Sequence, residues 1–233
     1  MALANVLLWM DSQAKTEEVD IISKTGETMF DTNTSQWGQI IKEASERINL
    51  RRCVIKQAWT KANYSLEILK ATKVKDAELL EAKVLLKHGK LMECREKLQS
   101  IISSSVNSEL HVGALILMSD VFNMSGNPSG AVQYLVDAIQ TAEANSQELL
   151  HHLSSLHLAN CHLLLGFPHK ALSLIFCNIS GILSHGGVEE AAKSWLLLAK
   201  CKIAASKDSE GPNRRVQMLE GADLISKAKD IFR

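Results

Sequence analysis

The sequence predicts an all-α protein, a superhelical stack of helical hairpins, and three observations carry that expectation. Proline is scarce, with 3 in 233 residues, while Leu, Ala, Lys and Glu recur at three- and four-residue intervals with little β-branched alternation. Two stretches, SGNPSGAVQYLVDAI (125 to 139) and LGFPHKALSLIFCNI (165 to 179), share the pattern Gly-x-Pro-x-x-Ala-x-x-x-(Leu/Ile). A hydrophobic content of 46% is ample for a continuous core under such a stack.

The elements follow in order. Residues 1–35 are expected to form an N-terminal segment of partial helix and loop: one short apolar stretch, then Glu17, Glu18 and Asp20 as an acidic first turn, then the polar cluster DTNTS. Residues 36–233 are expected to form the repeat domain. Its first hairpin, about 36–72, reads QWGQIIKEASERI and then CVIKQAWTKANYSLEILKAT, with Ala58 and Ala62 on the second helix. Eight helices are expected beyond it, at about 76–87, 91–104, 109–124, 128–144, 147–165, 168–183, 188–206 and 215–232. They pair into hairpins over about 76–104, 109–144, 147–183 and 188–232. Pro128 and Pro168 each follow a glycine by two residues, so that the glycine can close one helix in a left-handed cap and the proline can open the next.

The repeat has a register. Gly89, Gly126 and Gly166 lie 37 and 40 residues apart, and each is followed at plus five by a small residue: Cys94, Ala131, Ala171. At plus nine come Leu98, Leu135 and Ile175, and at minus seven Ala82, Ser119 and Ala159. Two antiparallel helices joined by a short turn pass close together near it, so the facing positions must be short, and larger residues plug the gap to the next hairpin. In the fourth unit Trp195, Leu198 and Ala199 give the Trp-x-x-Leu-small pattern of a tetratricopeptide repeat, with the turn lengthened by KDSEGPN (207 to 213). A lone hairpin cannot bury its apolar face, whereas a right-handed stack of them can.

Charge and chemistry narrow the function classes. With 26 basic and 26 acidic residues the net charge is zero, so no global field favours nucleic acid or an anionic membrane. Apolar runs such as SWLLLA fall far short of the roughly 20 residues of a membrane span. The opening MALANVLLWM lacks a basic secretory leader, so a soluble intracellular protein is expected. Cys53, Cys94, Cys161, Cys177 and Cys201 are widely spaced without a Cys-x-x-Cys pair and read as reduced core residues.

The segment HHLSSLHLANCH (151 to 162) places His157 and Cys161 four apart, with His151, His152 and His162 nearby, which is the kind of spacing that holds zinc. Both also fall on one helical stripe with Leu153, Leu156 and Leu164, so they are expected to pack inward, and His162 takes the place of a large ring in a first helix. No metal site is expected. No glycine elbow or orienting acid stands beside a cysteine and no glycine-rich phosphate loop is present, so no catalytic residue, cofactor or small-molecule substrate is expected. Arg51, Arg52, Lys56 and Lys61 lack interleaved aromatics and read as a solvated face or partner salt bridge.

The segments ANCHLLLGFPHKALSLI (159 to 175), WLLLAKCKIAAS (195 to 206), MLEGADLISKAKDIF (218 to 232) and LLKHGKLMECREKLQSII (85 to 102) also carry a resemblance. From about Trp37 to the last residue, the chain resembles the carboxy-terminal tetratricopeptide-like region of the anaphase-promoting complex subunit 5 family. It does so most specifically in the LGxPxxALSL turn and the AKC segment. The resemblance implies a non-catalytic scaffold in a multi-subunit ubiquitin ligase that controls mitotic progression, found in the nucleus and cytoplasm. Its implied partners are the platform and tetratricopeptide subunits of that complex. Members of the family are much longer, so the chain is expected to be a fragment, a short isoform or a divergent paralogue.

Two other readings stand beside it. An independent adaptor capturing peptide termini or chaperones would need Lys, Arg and Asn projecting from first helices into the concave groove. The positions read as groove-facing, Leu115, Met118, Ser155 and Leu158, are apolar or small. An enzyme would need convergent polar groups, which the sequence does not assemble. At the two ends of the stack Val6, Leu7, Leu8 and Trp9, and then Leu224, Ile225 and Phe232, are expected to expose apolar surface.

Overall fold

The computed structural model describes residues 36–104, 107–208 and 212–231. The expectations for residues 1–35, including Val6, Leu7, Leu8 and Trp9, and for Phe232 lie outside the described residues. Ten α-helices follow one another among the described residues: α1 Gln36–Ile55, α2 Trp59–Ala71, α3 Ala77–His88, α4 Leu91–Ser104, α5 Ser108–Met124, α6 Pro128–Ala144, α7 Glu148–Leu164, α8 Pro168–His185, α9 Val188–Ala205 and α10 Pro212–Ile231. A single 3-10 turn, Ser206–Asp208, extends α9. The chain is thus all-α, built from tetratricopeptide-like hairpins, and it divides into two compact units between Lys97 and Leu98, within α4.

In the first unit α1 and α2 form a hairpin whose core is Leu50, Ala62, Leu66 and Leu69, joined by Val84 of α3. Ion pairs tie its edges. Arg47 of α1 donates to both carboxylate oxygens of Asp76 ahead of α3, at 2.8 Å from Nη1 to Oδ2. Glu81 of α3 accepts from Lys70 of α2 and pairs with Lys97 of α4, each at 2.9 Å. The Trp59 indole stacks on His88 with ring centroids 4.4 Å apart.

This hairpin departs from expectation in its turn. The first helix runs on to Ile55, and Ala58 is the residue before α2 rather than part of it. The chain reverses at Gln57, whose φ of 55° lets the Gln57 amide reach the Val54 carbonyl and the Ala58 amide reach that of Cys53. A left-handed residue that is not glycine leaves no signature in the sequence.

In the second unit the hairpins are α5/α6, α7/α8 and α9/α10. Val112, Leu115, Ile116, Ala131, Leu135, Ala138 and Ala142 close around Cys161 of α7. Leu156, Ala159, Ala171, Ile175 and Ile182 close around Leu197, Leu198, Ala199 and Cys201 of α9 and Leu224 of α10. Each cluster therefore spans a hairpin and the first helix of the next, as a repeat stack requires.

The helices end where the sequence says they should, and for the stated reason. Gly89, Gly126 and Gly166 have φ of 82°, 75° and 83°. In each case the glycine amide bonds three residues back and the next amide bonds five back, for example Gly126 to Asn123 at 3.1 Å and Asn127 to Phe122 at 2.9 Å. This double closure satisfies the last carbonyls of the helix and turns the chain at once. Pro128 and Pro168 then open α6 and α8, with the Asn127 side chain accepting from the Gly130 amide ahead of α6. The last turn is shorter than expected, because Pro212 already begins α10.

Candidate protein-interaction site

The repeat positions form the frame. Ala82, Ser119, Ala159 and Ala199 on first helices, and Cys94, Ala131 and Ala171 on second helices, are fully buried, as are the larger Leu98, Leu135 and Ile175. The approach is close enough for the Cys94 thiol to donate to the Ala82 carbonyl at 3.2 Å. Leu198 is buried, and Trp195 is half-buried with the Lys227 ammonium 5.6 Å above its ring. The sequence reading missed the matching position in the fifth hairpin. A Cβ on Gly221 would stand 2.7 Å from Ile203 Cγ1 and 3.4 Å from the Ala199 carbonyl, so α9 and α10 meet across a bare backbone. A glycine inside an otherwise helix-favouring stretch was the available signal.

Leu115, Met118 and Ser155, read from the sequence as groove-facing, are buried in the stack, and Leu158 is half-buried. Leu164 corrects in the other direction. Expected to pack inward with Leu153 and Leu156, it is 54% exposed, because the last turn of α7 carries it past the seam between helices.

The histidine-rich segment of α7 is a set of clasps between helices. His151 Nε2 lies 3.2 Å from Glu143 of α6, and His152 Nδ1 donates to Asn178 Oδ1 of α8 at 2.8 Å. That direction follows because the Asn178 amide group is itself donated to the Leu174 carbonyl. Gly181 gives the His152 ring its room, since a Cβ there would stand 2.2 Å from it. His157 Nδ1 lies 3.0 Å from Asp120 of α5, and the Cys161 thiol lies 3.3 to 3.4 Å from both amide atoms of Asn123. So His157, expected in the core, instead reaches a carboxylate on the preceding hairpin, while Cys161 is buried as expected. Among the described residues no group of three or more His, Cys, Asp or Glu is placed to hold a metal.

His162 is the exception in that row, with a buried Nδ1 that has no partner. Burial, then the nearby Lys170 charge, lowers its pKa. Burial likewise raises the Cys161 thiol and pushes Cys201 up to about 11, so both are protonated and poorly nucleophilic near neutral pH. In the basic cluster of the first unit Arg51 and Arg52 are half-buried, and Lys56 and Lys61 are exposed.

What the frame leaves to solvent is apolar surface beside fixed charge. Between α8 and α10 a groove of about 330 Å³ is walled by Leu172 and Phe176 on one side and Val216 and Gln217 on the other. Its floor is Ala205 and Lys202 of α9, the latter ion-paired to Glu220. Phe176 is 57% exposed at the rim. A half-exposed aromatic over an ion-paired floor suits a protein side chain inserted from a partner.

No family model matches the chain. It is similar to anaphase-promoting complex subunit 5 of Homo sapiens and of Pongo abelii, each 25% identical over 155 residues that make up 65% of this chain and 20% of the relative. The Mus musculus protein of the same name is 28% identical over 156 residues, 65% of this chain and 21% of that protein. The chain thus spans about one fifth of the length of the curated relatives it matches. Among solved structures it is similar to a putative kinesin light chain of Podospora anserina with nearly identical tetratricopeptide-like repeats. That match has a TM-score of 0.52 and 17% identity, over 80% of this chain and 92% of the other. A second is the tetratricopeptide-sensor signal-transduction ATPase of Pyrococcus horikoshii, with a TM-score of 0.54 and 15% identity, over 99% of this chain and 41% of the other. Fold and sequence therefore agree on an all-α tetratricopeptide-like chain with similarity to anaphase-promoting complex subunit 5.

Proposed function

We propose that the chain is a non-catalytic scaffold subunit of the anaphase-promoting complex, acting through contacts with the platform and tetratricopeptide subunits in nucleus and cytoplasm. The observation that carries this reading is the similarity to subunit 5 over 155 residues, in a chain whose folded core is a repeat stack. The site chemistry supports it. His151, His152, His157 and Cys161 of α7 are engaged in holding helices together, and what remains outward is apolar surface with charged edges. The groove between α8 and α10 keeps an adaptor for peptide partners as a second reading, with Phe176 as its anchor.

Affinity purification of the tagged chain from mitotic cells tests the assignment, with and without depletion of the platform's largest subunit. Subunits of the complex should co-purify, and the chain should be lost when the platform is depleted. The purified chain should transfer no ubiquitin in a reconstituted assay. A chain that stays stable and unaccompanied without the platform, or that transfers ubiquitin alone, refutes the scaffold reading.

A further inference from the structure

The neutral charge of the whole chain conceals an uneven distribution. Residues 36–97 carry 14 Lys and Arg against 8 Asp and Glu, whereas the whole chain balances 26 against 26. The excess gathers at one edge of the first unit. There the turn between α1 and α2 and the turn between α3 and α4 lie side by side, joined by the stack of Trp59 on His88 with ring centroids 4.4 Å apart. The two stretches that make these turns, 52–62 and 85–94, hold Arg52, Lys56, Lys61, Lys87 and Lys90 against a single acid, Glu93, which already pairs with Lys90. Lys56, Lys61 and Lys87 are exposed.

Helix electrostatics explains only part of this gathering. Lys87 stands in the last turn of α3, where the carbonyl end of a helix favours a cation, as Arg52 does in α1. Lys61 stands in the first turn of α2, where the dipole opposes it. No acidic residue shares that turn, and Ala58 ahead of it has no side-chain acceptor to cap the amides. Apolar surface collects at the same edge. Among the described residues the three most exposed large hydrophobic side chains are Ile55 at 71%, Tyr64 at 71% and Met92 at 69%. Ile55 ends α1, Met92 is the second residue of α4, and Tyr64 follows Lys61 by three residues on the same side of α2.

We propose that this turn edge is a docking surface for an acidic segment of another protein, with carboxylates meeting Lys56, Lys61 and Lys87 and apolar side chains seated on Ile55, Tyr64 and Met92. Lysines interleaved with exposed apolar groups complement a segment that itself alternates carboxylates with apolar side chains. Nucleic acid fits the edge less well, because Ile55 and Met92 give a base no ring to stack on and one face of Trp59 is taken by His88. A membrane surface also fits less well, because the exposed Gln57 and Thr60 break the continuous apolar face that an interfacial helix needs. A second copy of the same edge would set like charges against each other. Stacking of hairpins covers helix faces rather than turns, so an edge of this kind stays open within a stack. The proposal stands on the first unit alone and is independent of the scaffold reading.

The test uses the whole chain and a fluorescent peptide in which glutamates flank leucines, with binding read by anisotropy. The wild-type chain should bind it, less tightly as salt rises. Lys56→Glu with Lys61→Glu should weaken binding on the order of tenfold or more, since two attractions become two repulsions. Lys73→Glu with Lys75→Glu makes the same change of charge in the connection between α2 and α3. That site lies roughly 20 Å along α2 and beyond the screening length, so affinity should change by less than about twofold. Ile55→Ser leaves the charge alone and should weaken the leucine peptide several-fold, while a peptide with serine in place of leucine should not distinguish it from wild type. Far-UV circular dichroism should show each variant folded, because the substituted side chains are exposed. No binding to the wild-type chain, equal loss from the two lysine pairs, or no effect of Ile55→Ser overturns the proposal. So does a single-stranded oligonucleotide bound more tightly than the peptide, which makes the occupant a nucleic acid. Phosphatidylserine vesicles that sediment the wild-type chain but not the Lys56 and Lys61 variant also overturn it, because the occupant is then a membrane surface.

Discussion

Replacing His162 with leucine should stabilise the second unit, and the gain should grow in acid. The seat four residues before each turn glycine is filled by Leu85, Phe122 and His162, and the residue four after the glycine is Glu93, Gly130 and Lys170. Phe122 needs glycine opposite, because a Cβ on Gly130 would stand 2.8 Å from its ring. Where that residue carries a side chain, the α3/α4 hairpin uses leucine, so leucine is the replacement the fold has already accommodated. The buried, unpartnered Nδ1 of His162 costs about 1 to 3 kcal/mol, toward the lower end for a half-buried ring. Leucine adds a few tenths in helix propensity, and the change of shape returns less than about 1.5. A net gain of about 1 kcal/mol raises the melting temperature by roughly 2 to 4 °C in a chain of this size.

The pH sign is fixed by linkage. The folded-state pKa of His162 lies below its unfolded value near 6.5, so the unfolded chain takes up the proton first. The wild type keeps the full contribution of this residue above that value and loses it as pH falls toward the folded pKa. The difference between variant and wild type should therefore widen between about pH 7.5 and pH 5.5, read by thermal melts followed by circular dichroism. A variant less stable than wild type at both pH values, or a gap that narrows in acid, refutes the reasoning.

Ala131→Leu and Ala171→Leu each place a branched side chain at a fully buried close approach and should cost about 1 to 3 kcal/mol, measured by urea denaturation. Unchanged midpoints would show that these alanines do not meet the facing helix. Asp76→Asn should destabilise the first unit by about 1 kcal/mol at neutral pH, because it removes the carboxylate that Arg47 grips from a half-exposed site. Burial alone would raise the Asp76 pKa, but the Arg47 hydrogen bonds and charge hold it below the usual carboxylate range. Its contribution is thus present above about pH 4 and lost as pH falls through the lower folded pKa, and the deficit of the variant should close in acid. Brief maleimide labelling read by mass spectrometry should modify the exposed Cys177 first, and Cys161 and Cys201 only on unfolding.

Where the turns rest on glycine and proline, the sequence revealed both the hairpin and its register, because the conformations those residues permit are few. The α5/α6 and α7/α8 hairpins are of this kind. Gln57, Lys73 and Ser146 make the same left-handed closure with φ of 55°, 52° and 54°, and nothing in their side chains announces it. In the first hairpin the turn, though not the hairpin itself, was misplaced for that reason. The histidines of α7 were harder still. A helical wheel puts His157 with the leucines, but only the neighbouring hairpin supplies Asp120, and a contact 37 residues away leaves no local pattern.

The clasps along α7 also bear on how the stack responds to being pulled. An apolar seam between helices has no fixed partner atoms, so a slide of one helical turn, about 5.4 Å, costs it only the fit of side-chain shapes. The polar contacts are not indifferent. Ser108 to Gln147, Asp120 to His157 and Asn123 to Cys161 join α5 to α7 or the residue ahead of it at three levels, and one turn of slippage would strand all three pairs together. Force applied along the stack should thus find the α5–α7 seam resistant to shear until it gives way at once, a ratchet tooth rather than a spring.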